Sequence, residues 1–141
     1  MQPVSWSKAR ERGWAVGGVD GRVALAALGD ADVGPLRLVV TETPDHALAK
    51  AQDGNWRTMD FHAVFWLPDR ALAKRVRDMV QDRLLAQGRK EQLPGGWFWS
   101  DCRMLALMIT EACDIAGVEP WGAEVNAAHA RRASARAVAW G

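Results

Sequence analysis

The hydrophobic pattern changes period several times along the chain, and each period predicts an element. Residues 1–20 predict an irregular N-terminal lead-in, because Gly13, Gly17 and Gly18 interrupt any regular pattern. Gly21–Leu28 (GRVALAAL) is a short continuous apolar run and predicts a first strand. Gly29–Pro35 (GDADVGP) carries turn residues. Leu36–Thr41 (LRLVVT) alternates, is rich in β-branched residues and predicts a second strand, paired with the first as a hairpin. Thr43-Pro44 supplies an N-cap position and a proline at the first helical position, while Glu42 and Asp45 suit the positive end of a helix dipole. That helix is expected to run to about Gln52 and to stop at Asp53-Gly54-Asn55.

Phe61–Leu67 (FHAVFWL) predicts a third strand, stopped by Pro68-Asp69. Leu72, Val76, Met79, Val80 and Leu84 then recur on one face of a helix over Asp69–Gln87, closed by Gly88. Arg89–Gly96 reads as a loop and Trp97-Phe98-Trp99 as a short strand or apolar plug. Ser100 is placed to cap a helix from Asp101 to Ala116, with Gly117 just past its end. Residues 118–141 form an Ala/Arg-rich tail whose composition favours helix from about Ala123. Strands interleaved with helices on a small, mainly antiparallel sheet predict an α/β (α+β) domain over residues 21–117.

Composition adds few constraints. The 141 residues favour one domain, and 49% apolar with 25% charged is ordinary for a globular protein. No run of about 18 apolar residues is present, so no membrane helix is expected. Met1 to Trp14 lacks the apolar region of a signal peptide. Cys102 and Cys113 fall in one predicted helix, roughly 16 Å apart and out of disulfide reach. Reduced thiols and no leader give a cytoplasmic expectation. A net charge of +1 provides no global field for nucleic acid, so any contact must come from local patches. There are eight tryptophans and no tyrosine.

Four segments together resemble the phage-type branch of the GIY-YIG nucleases. Gly34-Pro35-Leu36-Arg37-Leu38-Val39-Val40-Thr41 is similar to that family's G-P-V-K-I-G-x-T strand. Pro44-Asp45-His46-Ala47-Leu48 and Gln52-Asp53-Gly54-Asn55 follow like its D-P-x-x-R-L-x-x-L-Q-x-G-N. Ala71–Gln87 and then Pro94-Gly95-Gly96-Trp97-Phe98 resemble its long helix followed by G-E-W-F. The resemblance implies a β-β-α-β-α-α core. In an active member it also implies a divalent metal on one glutamate, a hairpin tyrosine pair and a helix arginine for phosphodiester hydrolysis.

This chain departs from that pattern at each catalytic position. The arginine falls on Ala47 and the metal-binding glutamate on Gly96. The tyrosines fall near Arg22 or Ala24 and near Arg37, the second-signature glycine on Val39, and a polar helix group near Gln81. No catalytic residue and no cofactor are therefore expected. Mg2+ enters only with a relocated nuclease site, for which Glu91 or Asp101 would supply a carboxylate and His46 a base. His62 reads as a packed or half-exposed strand residue.

Three surfaces remain for function. Arg70, Lys74, Arg77 and Gln81 form a stripe opposite the apolar face of their helix, and Lys90 continues the basic character. The competing reading is a solvated face in which Arg75, Asp78 and Asp82 mix signs. In the tail, His129, Arg132, Arg136 and Trp140 share a helical stripe. Trp56-Arg57 resembles an interface anchor, against the alternative of a tryptophan covering the core edge. The third surface is Met104–Ile109, apolar nearly all round, which suits a homodimer or protein partner through the 101–116 helix. The expected function is a catalytically degenerate nuclease-like module that binds DNA through Arg37, Trp56, Arg57, Arg70, Lys74, Arg77, Lys90, Arg132 and Arg136. The alternatives are a regulatory subunit of a phage or phage-derived system, and a metal-dependent endonuclease with a relocated site.

Overall fold

The computed structural model describes residues 3–87 and 92–140. Five strands, β1 (Val23–Gly29), β2 (Val33–Thr41), β3 (Asp60–Leu67), β4 (Gln92–Leu93) and β5 (Trp97–Asp101), form one sheet in the order β3-β1-β2-β5-β4. Every pairing in it is antiparallel. The helices are α1 (Trp6–Glu11), α2 (Pro44–Gln52), α3 (Arg70–Ala86), α4 (Cys102–Ala116) and α5 (Ala123–Trp140), so the chain is α+β. Among the described residues no helix is long and apolar enough to cross a membrane.

The continuous apolar run that predicts β1 has a plain cause. β1 lies between β2 and β3, and all seven of its residues are buried, so both of its faces must be covered. Val23, Leu25 and Ala27 meet α3 and α4 through Val76, Val80, Leu84, Leu105 and Ile109. Ala24, Ala26 and Leu28 meet α1, α2 and the start of α5 through Trp6, Ala9, Leu48 and Ala123. Gly29 ends the strand at a close approach: a Cβ there would lie 2.6 Å from Leu36 Cδ2 and 2.8 Å from the Pro35 carbonyl oxygen.

β2 changes partner along its length. Its residues Arg37–Thr41 pair with β1 and its residues Val33–Arg37 with β5, so Arg37 alone is paired on both sides. The strand starts earlier than expected, at Val33 rather than Leu36, because β5 extends the sheet there. Pro35 is tolerated inside it because β1 no longer runs alongside. Beyond Arg37 no strand among the described residues pairs with the outer edge of Leu38–Thr41.

Several boundaries differ from the sequence expectation. The lead-in is not irregular throughout: α1 is capped by the Ser5 side chain, which accepts from Lys8 N at 3.2 Å, and it buries Trp6 and Ala9. Trp6 Nε1 donates to Asp45 at 2.6 Å, and Arg10 reaches the same carboxylate at 2.7 Å. Burial pushes the Asp45 carboxyl up, but those two donors outweigh it and hold it below its ordinary value. Asp101, not Ser100, caps α4, accepting from Arg103 N at 2.8 Å; Ser100 is a buried residue of β5. Thr43 occupies the N-cap position of α2 without using its side chain; instead Thr41 Oγ1 accepts from Thr43 N at 3.1 Å. Asp69 caps α3 as an acceptor for Leu72 N, while Gly88, expected to close that helix, lies outside the described residues. The loop expected to Gly96 holds β4 and a single 3-10 turn at Pro94–Gly96. Gly117 takes the left-handed conformation that stops α4, as its position predicts.

The tail is also part of the body at its root. Trp66 and Trp121 exchange both backbone hydrogen bonds at the free edge of β3. Trp121 is sandwiched between the Arg22 guanidinium, 3.4 Å from its ring centre, and the parallel His129 ring at 3.8 Å. Asn126 is fully buried and donates to the Gly17 carbonyl at 3.1 Å, whereas residues 131–139 are exposed.

Because Trp6 is buried across the sheet from the main helix pair, Trp6→Ala is expected to lower unfolding stability by about 3–5 kcal/mol. Trp6→Phe should keep most of it. Urea denaturation of both variants measures this, and a Trp6→Ala midpoint equal to wild type would show α1 to be dispensable.

Candidate nucleic-acid interface

The partner change in β2 leaves a hollow at its open edge. It has a volume of about 420 Å³, with Arg37, Lys50 and Arg77 among its lining residues and Val39, Ala47, Ala51 and Phe61 supplying apolar surface. Each cation comes from a different element: Arg37 from β2, Lys50 from the last turn of α2 and Arg77 from α3. Among the described residues no carboxylate lines the hollow. Arg77 is paired with its neighbour Asp78 at 3.1 Å, whereas Arg37 and Lys50 make no ion pair among the described residues.

Some of the residues that the sequence resemblance aligns with family positions come together here, whereas Arg22 lies against Trp121 and Ala24 is buried in β1. Arg37, Val39 and Ala47 line the hollow, and a Cβ on Gly96 would lie 3.9 Å from Arg37 Nε. The donor set does not suit a divalent metal. Where the resemblance places a carboxylate there is no side chain, and a guanidinium stands beside it. Among the described residues no group of three or more His, Cys, Asp or Glu is placed to hold a metal ion.

The basic stripe on α3 runs beside the same edge. Val76, Val80 and Leu84 are buried, so Arg70 and Lys74 are left exposed and Arg77 half-buried. Arg70 reaches back to Glu42, just after β2, at 3.5 Å, an exposed pair contributing about 0–1 kcal/mol. Gln81 is half-buried one turn beyond Arg77. Lys90 lies outside the described residues, as does Glu91.

The Trp56-Arg57 loop follows α2, the helix that supplies Lys50. Trp56 is 87% exposed, so it does not cover the core edge. The Arg57 guanidinium lies 4.9 Å from its ring centre and also pairs with Asp30 at 3.0 Å. The loop is held by Gln52, whose Nε2 donates to the carbonyls of Asn55 and Arg57 and whose Oε1 accepts from Met59 N. Arg57, Asn55, Pro35 and Trp97 line a second, smaller hollow of about 150 Å³.

Sequence reasoning did not single out Lys50, Trp97 or Trp99. The signal was present in Trp97-Phe98-Trp99: once this segment is a strand, alternation sends Phe98 to the core and both tryptophans to the other face. Arg132 and Arg136 fall on the exposed part of α5, whose root is fixed at the β3 edge rather than beside Arg37. The structure therefore brings Arg37 and Arg77 together, sets Arg70 and Lys74 along the same edge, and keeps the tail arginines on a separate element.

Apart from His46, the other candidate chemistry is tied up in structure. His46 is exposed on α2. The His62 ring nitrogens face Asp32 at 2.9 Å and the Gly29 carbonyl at 3.0 Å, fixing β3 to the hairpin turn. Both cysteines are free and buried. Burial pushes the Cys102 thiol up, helped by the charges of Asp32 and Asp101 and opposed by Arg103. Burial alone pushes Cys113 up to about 11 from an ordinary 9.0. Thiols held protonated are poor nucleophiles at neutral pH. On α4, Cys113 sits with Leu105, Met108, Ile109 and Ala112 on the buried face, and Met104, Leu107 and Ile115 are exposed, so the helix is not buried all round.

The raised Cys113 value stabilises the fold below pH 9.0, and that contribution is lost as pH rises toward about 11. The urea midpoint should fall across this window, undisturbed by tyrosine, which the chain lacks. Cys113→Ala should fall less steeply. Identical pH slopes for the two proteins would show that the thiol does not carry this dependence.

No protein-family model matches the chain, and neither a curated protein nor a solved structure matches it.

Proposed function

We propose that this protein is a nucleic-acid-binding module with a GIY-YIG-like core whose hydrolytic chemistry has been lost. The observation that carries the reading is the hollow at the open β2 edge, lined by Arg37, Lys50 and Arg77 and, among the described residues, by no carboxylate. A cleft of one sign beside low-dielectric walls concentrates phosphate. The element order β1-β2-α2-β3-α3, followed by α4, supports the family part, with the four resembling segments falling on β2, α2, α3 and Pro94–Phe98. Ala47 and Gly96 at the edge of the same hollow support the loss of chemistry: one cannot clamp phosphate and the other cannot hold a metal.

One observation favours a second reading. Met104, Leu107 and Ile115 expose apolar surface along α4, and Leu107 lines a groove of about 450 Å³ with Pro3, Phe65, Arg103 and Pro120. Such a surface suits a protein partner or a second copy. A relocated nuclease site at Asp101 has less support, because Asp101 is engaged in capping α4.

Fluorescent single-stranded and duplex DNA, titrated with protein at two salt concentrations in magnesium, tests the first reading. Binding is expected to weaken with salt. Replacing both Arg37 and Lys50 by alanine should lower the slope of log K against log salt by about 1.4–1.8. A denaturing gel should show uncut DNA. Absence of binding to either form at low salt would sink this reading in favour of a protein partner, and cleavage would overturn the assignment of Ala47 and Gly96.

A further inference from the structure

The helices on the α1–α2 side of the sheet do not cover all of it. α1, α2 and the start of α5 pack over β1 and β3, and that cluster reaches Val39 near the end of β2 and Trp97 at the start of β5. Over the β2–β5 half, alternation places Val33, Pro35 and Arg37 of β2 on the same face as Trp97 and Trp99 of β5. Registers pair Arg37 with Trp97 and Pro35 with Trp99 directly across the strands. Trp99 is 52% and Val33 57% exposed, and Trp97 and Pro35 are half-buried. At one end of this face stands the Asn55–Arg57 loop, which shares a hollow with Pro35 and Trp97 and carries the exposed Trp56. At one side stands the cationic hollow of Arg37, Lys50 and Arg77.

We propose that the β2–β5 face binds single-stranded nucleic acid, with bases stacked on Trp99 and Trp56 and the backbone drawn along Arg37 and Lys50. This rests on the nucleic-acid reading above and names the form of ligand. The chemistry of the face selects it. Two exposed indoles on a rigid strand and a pinned loop offer flat surfaces to bases, which a duplex keeps inside its own stack. Cations at the margin of the aromatic surface, rather than under it, suit a chain whose phosphates lie outside its bases. Arg37 and Lys50 make no ion pair among the described residues, so the charge they offer is not already neutralised. Arg57 differs: it is held by Asp30 and by the Trp56 ring, which orients the loop rather than presenting a spare charge.

Anisotropy titrations of a labelled mixed-sequence single strand and of its duplex, with the full chain at low salt, test the proposal. The single strand is expected to bind at least about 10-fold more tightly. Trp99→Ala and Trp56→Ala should each weaken single-strand binding by about 5- to 100-fold while leaving the salt slope unchanged, and Trp99→Phe should restore most of the affinity. Both tryptophans are exposed, so the fold should survive, and urea midpoints check this. Equal affinity for duplex, or alanine variants within twofold of wild type, would overturn the stacking surface and leave the nucleic-acid reading standing. Failure of both DNA forms to bind would remove both. A concentration-dependent dimer in sedimentation that Trp99→Ala dissolves would assign the face to a second copy of the chain and overturn the proposal.

Discussion

The burial of β1 on both faces is the constraint from which the rest follows. A strand whose seven residues are all buried needs helices above and below it. Its side chains are mainly small on one face, with Ala24 and Ala26, so Trp6 and Leu48 can come close there. They are larger on the other, where Val23 and Leu25 meet the long helices α3 and α4. The apolar cover thus centres on β1 and β3. On the α1–α2 side that cover thins over the β2–β5 half, which carries Arg37, Trp97 and Trp99.

The partner change in β2 converts this coverage into a site. Because β1 and β5 pair with different halves of the strand, one stretch of β2 backbone has an open outer edge and the other has an open face. Arg37 lies at the join and belongs to both. On the proposed reading, the position that the sequence resemblance assigns to a tyrosine offers charge alone, and Gly96 stands beside it. Its missing side chain leaves the space beside Arg37 clear, where a carboxylate would have drawn the guanidinium into an ion pair.

Most of the element order was legible in the sequence, since each element had its own period or stop signal. The apolar run of β1, the alternation of β2, the periodicity of α3 and the Gly117 stop all appear where local chemistry places them. α1 was not legible because its burial depends on a contact with Asp45, thirty-nine residues away. Ser100 and Asp101 are both good caps, and only the extension of β5 through Asp101 decides between them. Of the candidate site, Arg77 and the Trp56-Arg57 pair were named from local pattern, and Arg37 through the family resemblance. Lys50, Trp97 and Trp99 were missed because their value arises from the β2–β5 register, which the sequence does not carry locally.

An open sheet edge poses a problem of its own, and the cations around it have a rival explanation. Exposed edges invite pairing with other chains, and lysine or arginine beside them is a common defence. That account covers Lys50 and Arg77, which flank the unpaired stretch of β2. It does not cover the face. Edge protection requires charge and gains nothing from indoles held in the open, and Trp56, Trp99 and Val33 raise the very risk that a protective surface would lower. Nor does it explain why Gln52 spends its whole amide on holding the loop that presents Trp56. On the proposed reading the fixed aromatic planes and the marginal positive charge serve one ligand, a chain of bases on a phosphate backbone.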